Sequence, residues 1–313
     1  MAENTNNPKG EWNYDVEWRG DQDHDGKRNF PVIVLGWLSY DIIRNCLRSI
    51  NLLEGVNPQI YFVENKSKNS DKIKELILNT ENIKGYIQYK ENFAANVWKV
   101  TLEHFLPQIN EEFVTITDGD YIFDVDAIDT QYALFGKHNN VGVTSQKRSM
   151  LSIRSALINP QDMENSITAR ETRENQDTTI PFLKRGTYNG MILTTARKTD
   201  WQKFIDCINR RDILMSTLEL DDARTGDYRP PLFVNEDLYR FFEIVMEKQS
   251  LIVQAFPAYC LTDEHIMDPS SEHSIEARNR DYSKVSRDSY QENFEHFHNS
   301  HYPSGELKFD IIL

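Results

Sequence analysis

The sequence lacks the features that mark membrane and secreted proteins. None of its 313 residues falls in a run approaching the roughly 20 apolar residues that a membrane-spanning helix needs. The N-terminus has no basic-then-apolar pattern of a secretory signal. Only three cysteines are present, and they are widely spaced in apolar stretches: Cys46, Cys207 and Cys260. We therefore expect buried, unbridged thiols in a reducing compartment, a cytoplasmic location and no membrane span.

Positive charge is also scarce. Lysine and arginine number 35 against 49 aspartates and glutamates, which gives a formal net charge of −14. This surplus of negative charge disfavours a nucleic-acid backbone or an anionic membrane surface as the main partner. It also means that any site for a nucleotide diphosphate must supply its own positive charge, most simply as a bound cation.

From residue 31 onward, short apolar runs alternate with segments of helical periodicity. β-Branched and aromatic residues are concentrated in the runs, which is typical of buried strands. The first four predicted strands cover residues 32–35, 59–63, 86–89 and 113–117. The helices between them are predicted to begin near Ser39, at Ser70 or Asp71, and at Asn92. The alternation predicts a doubly wound α/β fold with a central, mostly parallel sheet flanked by helices.

Beyond residue 120 the periodicity is weaker. Further strands are predicted at 141–144, 190–195 and 251–255, and helices at 201–208, 238–246 and about 282–297. Residues 145–187 show no clear period, and a segment of that length is usually a functional loop or a disordered one. Residues 1–29 are polar and are predicted to form a flexible N-terminal segment.

The most informative motif is Asp118-Gly119-Asp120, which ends the fourth predicted strand. Open α/β sheets bind their ligands at the carboxyl ends of their strands. Gly119 allows a tight turn and close approach of a bulky anion. Carboxylate oxygens suit Mg²⁺ or Mn²⁺, which also take water and substrate phosphates as ligands. The motif predicts a divalent metal that carries a diphosphate; the alternative is an ordinary surface turn, since Asp-Gly is a common turn dipeptide.

Together with other features in the same order, this motif resembles the GT-A glycosyltransferases, specifically the family-2-like inverting group that uses nucleotide sugars. The resemblance covers about residues 31 to 265. It rests on the opening strand and helix, on Glu64 ending the second strand, on the Asp-x-Asp motif, on Asn189-Gly190 and on Asn235-Glu236-Asp237. It implies one GT-A catalytic domain over residues 30–268, with a mixed central sheet, followed by a polar helical extension over 269–313.

The resemblance also implies roles for residues near the nucleotide. Asp120 corresponds to the direct metal ligand, and Asp118 to a ribose contact or a water-mediated metal contact. Glu64 stands where the group has an acid near the nucleobase, and Gly36 and Trp37 would line the same pocket. The plain alternative for Glu64 is an acid that merely ends a strand. The implied cofactor is Mn²⁺ or Mg²⁺.

Asp237 corresponds to the catalytic base, which would take a proton from the acceptor hydroxyl. Acids also complement helix N-termini, so Glu236 and Asp237 are alternatively explained by the helix that follows them. His265 matches a further metal ligand of the group, and imidazole is an acceptable donor for Mn²⁺. His273 is its rival, and an ordinary surface histidine is the other interpretation.

The leading hypothesis is a metal-dependent hexosyltransferase that moves one sugar, with inversion, from a nucleoside-diphosphate sugar to a glycan or other hydroxyl acceptor. The resemblance implies UDP as the donor nucleotide, because the family commonly uses it. The Gln/Arg-Arg-x-Trp signature of processive synthases is absent, which favours transfer of a single sugar. The chain also has alanine at residues 94 and 95, where the family usually has a glycine. Three alternatives stay open: a retaining GT-A enzyme, a sugar nucleotidyltransferase and a non-catalytic nucleotide or sugar binder. The loop from Gly36 to Tyr40 has no basic residue, which disfavours the nucleotidyltransferase. The oligomeric state is not indicated.

Overall fold

The structure is a computed structural model that describes residues 27–37, 40–89, 97–125, 127–137, 139–148, 182–184, 191–209, 238, 241–261 and 309–311. Several predictions lie outside these residues: almost all of the N-terminal segment, most of the 145–187 loop and the helix at 282–297. The same holds for Asp237, His265 and His273.

The described strands and helices alternate along the first half of the chain. The strands are β1 Arg28–Gly36, β2 Val56–Glu64, β3 Ile83–Tyr89, β4 Phe113–Asp118, β5 Tyr121–Ile122, β6 Val141–Arg148, β7 Phe182–Lys184, β8 Thr194–Arg197, β9 Gln249–Cys260 and β10 Phe309–Ile311. The α-helices are α1 Tyr40–Asn51, α2 Ser70–Leu78, α3 Val97–Phe105, α4 Ala127–Lys137 and α5 Lys198–Asn209. A short 3₁₀ turn, Leu106–Gln108, follows α3, and a π-helical turn, Phe241–Val245, precedes β9.

These strands form one mixed sheet in the order β10-β3-β2-β1-β4-β8-β6-β9-β5, with β7 paired to β9. Strands β3, β2, β1 and β4 are parallel neighbours. Strand β8 is inserted antiparallel to both β4 and β6, and β6 is parallel to β9. The predicted α/β fold with a mixed, mostly parallel sheet is confirmed.

Helices cover both faces of the sheet, as the doubly wound prediction requires. Successive residues of a strand point to opposite faces, so neighbours belong to different cores. Ile33 packs in a core with Trp98 of α3 and Trp201 of α5. Val32 packs in the other core, which includes Cys46 of α1 and Ile73 of α2. All nine residues of β2 are buried, because a central strand is covered on both sides.

The structure corrects several predicted boundaries. The strand predicted at 190–195 begins only at Thr194, because Met191 to Leu193 form a bend in which Leu193 has a φ of 44°. The strands predicted at 141–144 and 251–255 extend to Arg148 and Cys260. The N-cap of α2 is Asn69 rather than Ser70 or Asp71. Among the described residues, no helix is both long enough and apolar enough to span a membrane.

Candidate functional site

Parallel pairing brings three of the predicted site residues to one edge of the sheet. Gly36 pairs with Glu64 across β1 and β2, while Leu35 pairs with Asp118 across β1 and β4. Trp37 follows Gly36 directly and is half-buried. The carboxyl ends of β1, β2 and β4 therefore place Gly36, Glu64 and Asp118 side by side.

Gly119 presses the Asp-Gly-Asp turn against the end of β1. Its N–H donates a hydrogen bond of 2.7 Å to the Leu35 carbonyl oxygen, and the Asp118 N–H donates one of 2.8 Å to the Met191 carbonyl oxygen. A Cβ on Gly119 would lie 2.8 Å from that Leu35 oxygen, so only glycine fits. The turn is packed against the sheet edge and is not an ordinary surface turn.

The other side of the turn is held by β9. Strand β5 begins directly after Asp120, and Tyr121 pairs with Cys260. The Leu261 N–H donates to the Asp120 carbonyl oxygen at 2.6 Å. The Cys260 thiol donates to Asp120 Oδ2, with 3.8 Å between sulfur and oxygen. Backbone and side chain of Asp120 are thus both fixed by the end of β9.

Negative charge accumulates around this turn. Burial, together with the nearby Asp120 carboxylate, raises the pKa of Asp118 well above its usual range. Burial and the charge of Asp120 also raise the pKa of the Tyr121 hydroxyl and of the Cys46 thiol. Like-charged carboxylates at short range disfavour each other's ionised form, and an added cation removes that conflict. The pair of hard oxygen donors therefore fits a Mg²⁺ or Mn²⁺ ion.

Arg148 contributes positive charge at the same edge. It ends β6 beside Ala258 of β9, and its charge lowers the pKa of Tyr121, opposing the carboxylates. Sequence reasoning placed Arg148 in the loop over 145–187 and gave it no role. Its strand position was hidden because the polar residues Ser145 to Lys147 break the apolar pattern of β6, although Ser145 and Gln146 are fully buried.

Glu64 is fully buried and acts on the loop that follows it. One carboxylate oxygen accepts a hydrogen bond from the Ser67 N–H, and the other accepts one of 3.1 Å from the Ser70 hydroxyl. The Asn65 N–H donates to the Gly36 carbonyl oxygen at 3.0 Å. Glu64 thereby fixes the loop between β2 and α2 beside the end of β1.

Leu238 and Leu261 are the described residues nearest in sequence to Asp237 and His265. Leu238 is fully buried in the same core as Met191, whose carbonyl oxygen contacts the Asp118 N–H. Within the described part of the chain, no group of three or more His, Cys, Asp or Glu residues could hold a metal ion.

A separate cavity of about 430 Å³ lies at the opposite edge of the sheet. It is lined by residues at the amino ends of β6 and β9, including Asn140, Glu247 and Gln249. Lys248 also lines it, but its ammonium group is bound to both oxygens of buried Asp200, at 2.7 and 2.6 Å. This cavity is far from the Asp118 edge and is not the candidate site.

The fold and the candidate site together define a mixed α/β protein whose carboxylates lie at the carboxyl ends of parallel strands. No family model and no curated protein matches the sequence. Among solved structures, the chain is similar to S. aureus TarS 1–349, with 17% identity and a TM-score of 0.43 over 87% of this chain and 72% of that one.

Two further similarities are to structures with bound nucleotide sugars. One is TarS 1–349 in complex with UDP-GlcNAc, with 16% identity and a TM-score of 0.43 over 74% of this chain and 58% of that one. The other is the mannosyltransferase PcManGT from Pyrobaculum calidifontis in complex with GDP-Man and Mn²⁺, with 16% identity and a TM-score of 0.42 over 76% and 59%.

Proposed function

We propose that this chain is a metal-dependent GT-A glycosyltransferase of the inverting type. It would transfer one sugar from a nucleoside-diphosphate sugar, with UDP the expected nucleotide, to a hydroxyl group of a glycan or other acceptor. The observation that carries the proposal is the Asp118-Gly119-Asp120 turn. Burial, together with the charge of Asp120, raises the pKa of Asp118, and the turn lies where parallel strands end.

Asp120 and Asp118 would hold Mn²⁺ or Mg²⁺, with water and the donor diphosphate as further ligands. When bound there, the ion would neutralise the negative charge that develops on the leaving diphosphate. His265 is proposed as an additional ligand. The position of Leu261 supports this, because its N–H contacts the Asp120 carbonyl oxygen four residues before the histidine.

The donor nucleotide would lie across the ends of β1 and β2. In this proposal Gly36 and Trp37 line the nucleotide pocket and Asp118 contacts the ribose. The two Glu64 oxygens accept hydrogen bonds from the loop after β2 and from the start of α2. We therefore propose that Glu64 shapes the nucleobase side of the pocket through that loop.

Asp237 is proposed as the base for the transfer. Its carboxylate takes the proton of the acceptor hydroxyl while the acceptor oxygen bonds to the anomeric carbon and the bond from that carbon to the diphosphate breaks. The support is its neighbour Leu238, which is buried in the core that includes Met191 and Ile116.

The proposal is tested by measuring sugar transfer and donor hydrolysis with a panel of UDP and GDP sugars and varied acceptors. Asp120→Asn and Asp237→Asn are expected to abolish transfer. Asp206→Asn, an exposed acid on α5, is the matched control and should transfer normally. Full activity in both site variants would overturn the proposal.

Two other results would redirect the proposal. Nucleotide binding without donor consumption, whatever the acceptor, would indicate a binding protein. A product with the anomeric configuration of the donor, seen by NMR, would indicate the retaining reaction. The cytoplasmic location stays a prediction of the sequence.

A further inference from the structure

Two thiols lie beside the Asp-Gly-Asp turn, Cys46 on α1 and Cys260 on β9. Cys260 of β9 donates a hydrogen bond to the Asp120 carboxylate, and Cys46 of α1 lies near the backbone N–H of Tyr121, the residue after the turn. Cys46 is fully buried and Cys260 is 4% exposed. Cys260 therefore contacts the side chain that the proposed function assigns to the metal, whereas Cys46 lies beside the residue that follows the turn.

We infer that Cys260 is a positioning residue for Asp120, which sets how tightly the site binds its divalent cation. This inference rests on the proposed function. The thiol donates a hydrogen bond to Oδ2 of Asp120, and the N–H of the next residue, Leu261, donates one to the Asp120 carbonyl oxygen. The consecutive residues Cys260 and Leu261 thus contact the carboxylate and the main chain of Asp120, and the thiol favours one orientation of the carboxylate.

The chemistry of a thiol suits this task. Partners that hydrogen-bond a metal ligand orient it, and losing them typically costs about 10- to 100-fold in metal affinity or activity. A thiol is a neutral and weak donor. It can orient the carboxylate while leaving its negative charge available, whereas a lysine or arginine in the same place would compete with the cation. The expected effect of removing the thiol is correspondingly smaller, about 3- to 10-fold.

No local pattern indicates this pair, because Cys260 is 140 residues from Asp120. The contact depends on the antiparallel pairing of Tyr121 with Cys260, which brings the end of β9 beside the turn.

The test is a titration of the full chain with Mn²⁺ alone and with Mn²⁺ plus UDP, in which free Mn²⁺ is measured by EPR. Cys260→Ala and Cys260→Val both remove the donor, and Val preserves more of the volume. Both should raise the Kd for Mn²⁺ by about 3- to 10-fold. Cys260→Ser, which keeps a donor, should stay within about twofold of wild type.

Val253→Ala is the matched control, because it weakens the core elsewhere in β9 and leaves the Cys260 hydrogen bond intact. Its Kd for Mn²⁺ should equal that of the wild type, although its melting temperature falls. Unchanged Kd values in the Ala and Val variants would overturn the inference. Equal losses in Ser, Ala and Val would overturn it too, because they would reflect packing rather than the hydrogen bond.

Two further binding measurements distinguish this inference from direct metal ligation by sulfur and from failure of the proposed function. Strong preference of the wild type for Cd²⁺ over Mn²⁺, lost in Cys260→Ser, would show direct ligation by sulfur and overturn a positioning role. Asp120→Asn should abolish Mn²⁺ binding. Failure of the wild type to bind Mn²⁺ would contradict the proposed function as well, whereas normal binding by Cys260→Ala contradicts this inference alone.

Discussion

The Gly119 N–H lies 2.7 Å from the Leu35 carbonyl oxygen and donates a hydrogen bond to it. This contact joins the turn after β4 to the end of β1, the two strands whose carboxyl ends form the candidate site. It allows no side chain at residue 119, and it fixes where the flanking carboxylates Asp118 and Asp120 lie. The first prediction follows from that constraint.

Gly119→Ala should displace the turn, because its Cβ would meet the Leu35 oxygen at 2.8 Å. We expect a loss of about 1–3 kcal/mol in the free energy of unfolding. Sugar transfer should fall by about a hundredfold, since small misplacements of reacting groups are costly.

Gly136→Ala is the control for this substitution. A Cβ on Gly136 meets nothing within 4 Å, and the residue lies in α4. Alanine should raise stability there by about 0.5–1 kcal/mol and leave transfer unchanged. Urea unfolding and a transfer assay measure both effects; normal transfer by Gly119→Ala would contradict the assigned role of the turn.

Glu64→Gln should weaken nucleotide binding through the loop after β2. The substitution removes the charge that accepts hydrogen bonds from the Ser67 N–H and the Ser70 hydroxyl. We expect a loss of about 1–3 kcal/mol in stability and a higher Kd for UDP. Glu75→Gln, an exposed acid on α2, is the control and should change neither quantity. A Kd for UDP equal to that of wild type would show that the loop does not contact the nucleotide.

His104 should make stability depend on pH. Burial lowers its pKa from 6.5 to about 4, and Gln108 Nε2 lies 3.0 Å from the ring Nε2. Between these pH values the unfolded state binds the proton and the folded state does not, so stability falls as the pH falls from 6.5 to 4. The contribution is at most about 3 kcal/mol.

Other groups also titrate in this range, so the His104 contribution is measured by comparison. Urea unfolding of wild type and His104→Gln at a series of pH values gives the two slopes. The variant should lose less stability than wild type on acidification from pH 6.5 to 4. Identical slopes in the two proteins would contradict the burial of a neutral histidine.

The parts of the fold that were predictable from sequence are those encoded locally. The buried strands β1 and β2 have continuous apolar runs, and the buried face of α1 repeats at helical spacing. Asp118 could be placed at a strand end because the apolar run stops there. The common edge of Gly36, Glu64 and Asp118 then follows from the parallel alternation alone.

The remaining features depend on contacts between distant segments, which periodicity does not report. The antiparallel insertion of β8 between β4 and β6 is one of these. Leu193 is another: its left-handed backbone is held by a 2.7 Å hydrogen bond from Gln131 to its carbonyl oxygen and by the Thr117 hydroxyl, which accepts from its N–H at 3.3 Å. A leucine gives no local signal of such a conformation.

The most direct test of the central claim is calorimetric titration of UDP into wild type and Asp120→Asn, with Mn²⁺ and with EDTA. If the carboxylate pair holds a cation that binds the diphosphate, Mn²⁺ should tighten UDP binding to wild type by roughly tenfold or more, about 1.4 kcal/mol. The same ion should have no effect on Asp120→Asn. Equal UDP affinity with Mn²⁺ and with EDTA in the wild type, or an undiminished Mn²⁺ effect in Asp120→Asn, would contradict the claim.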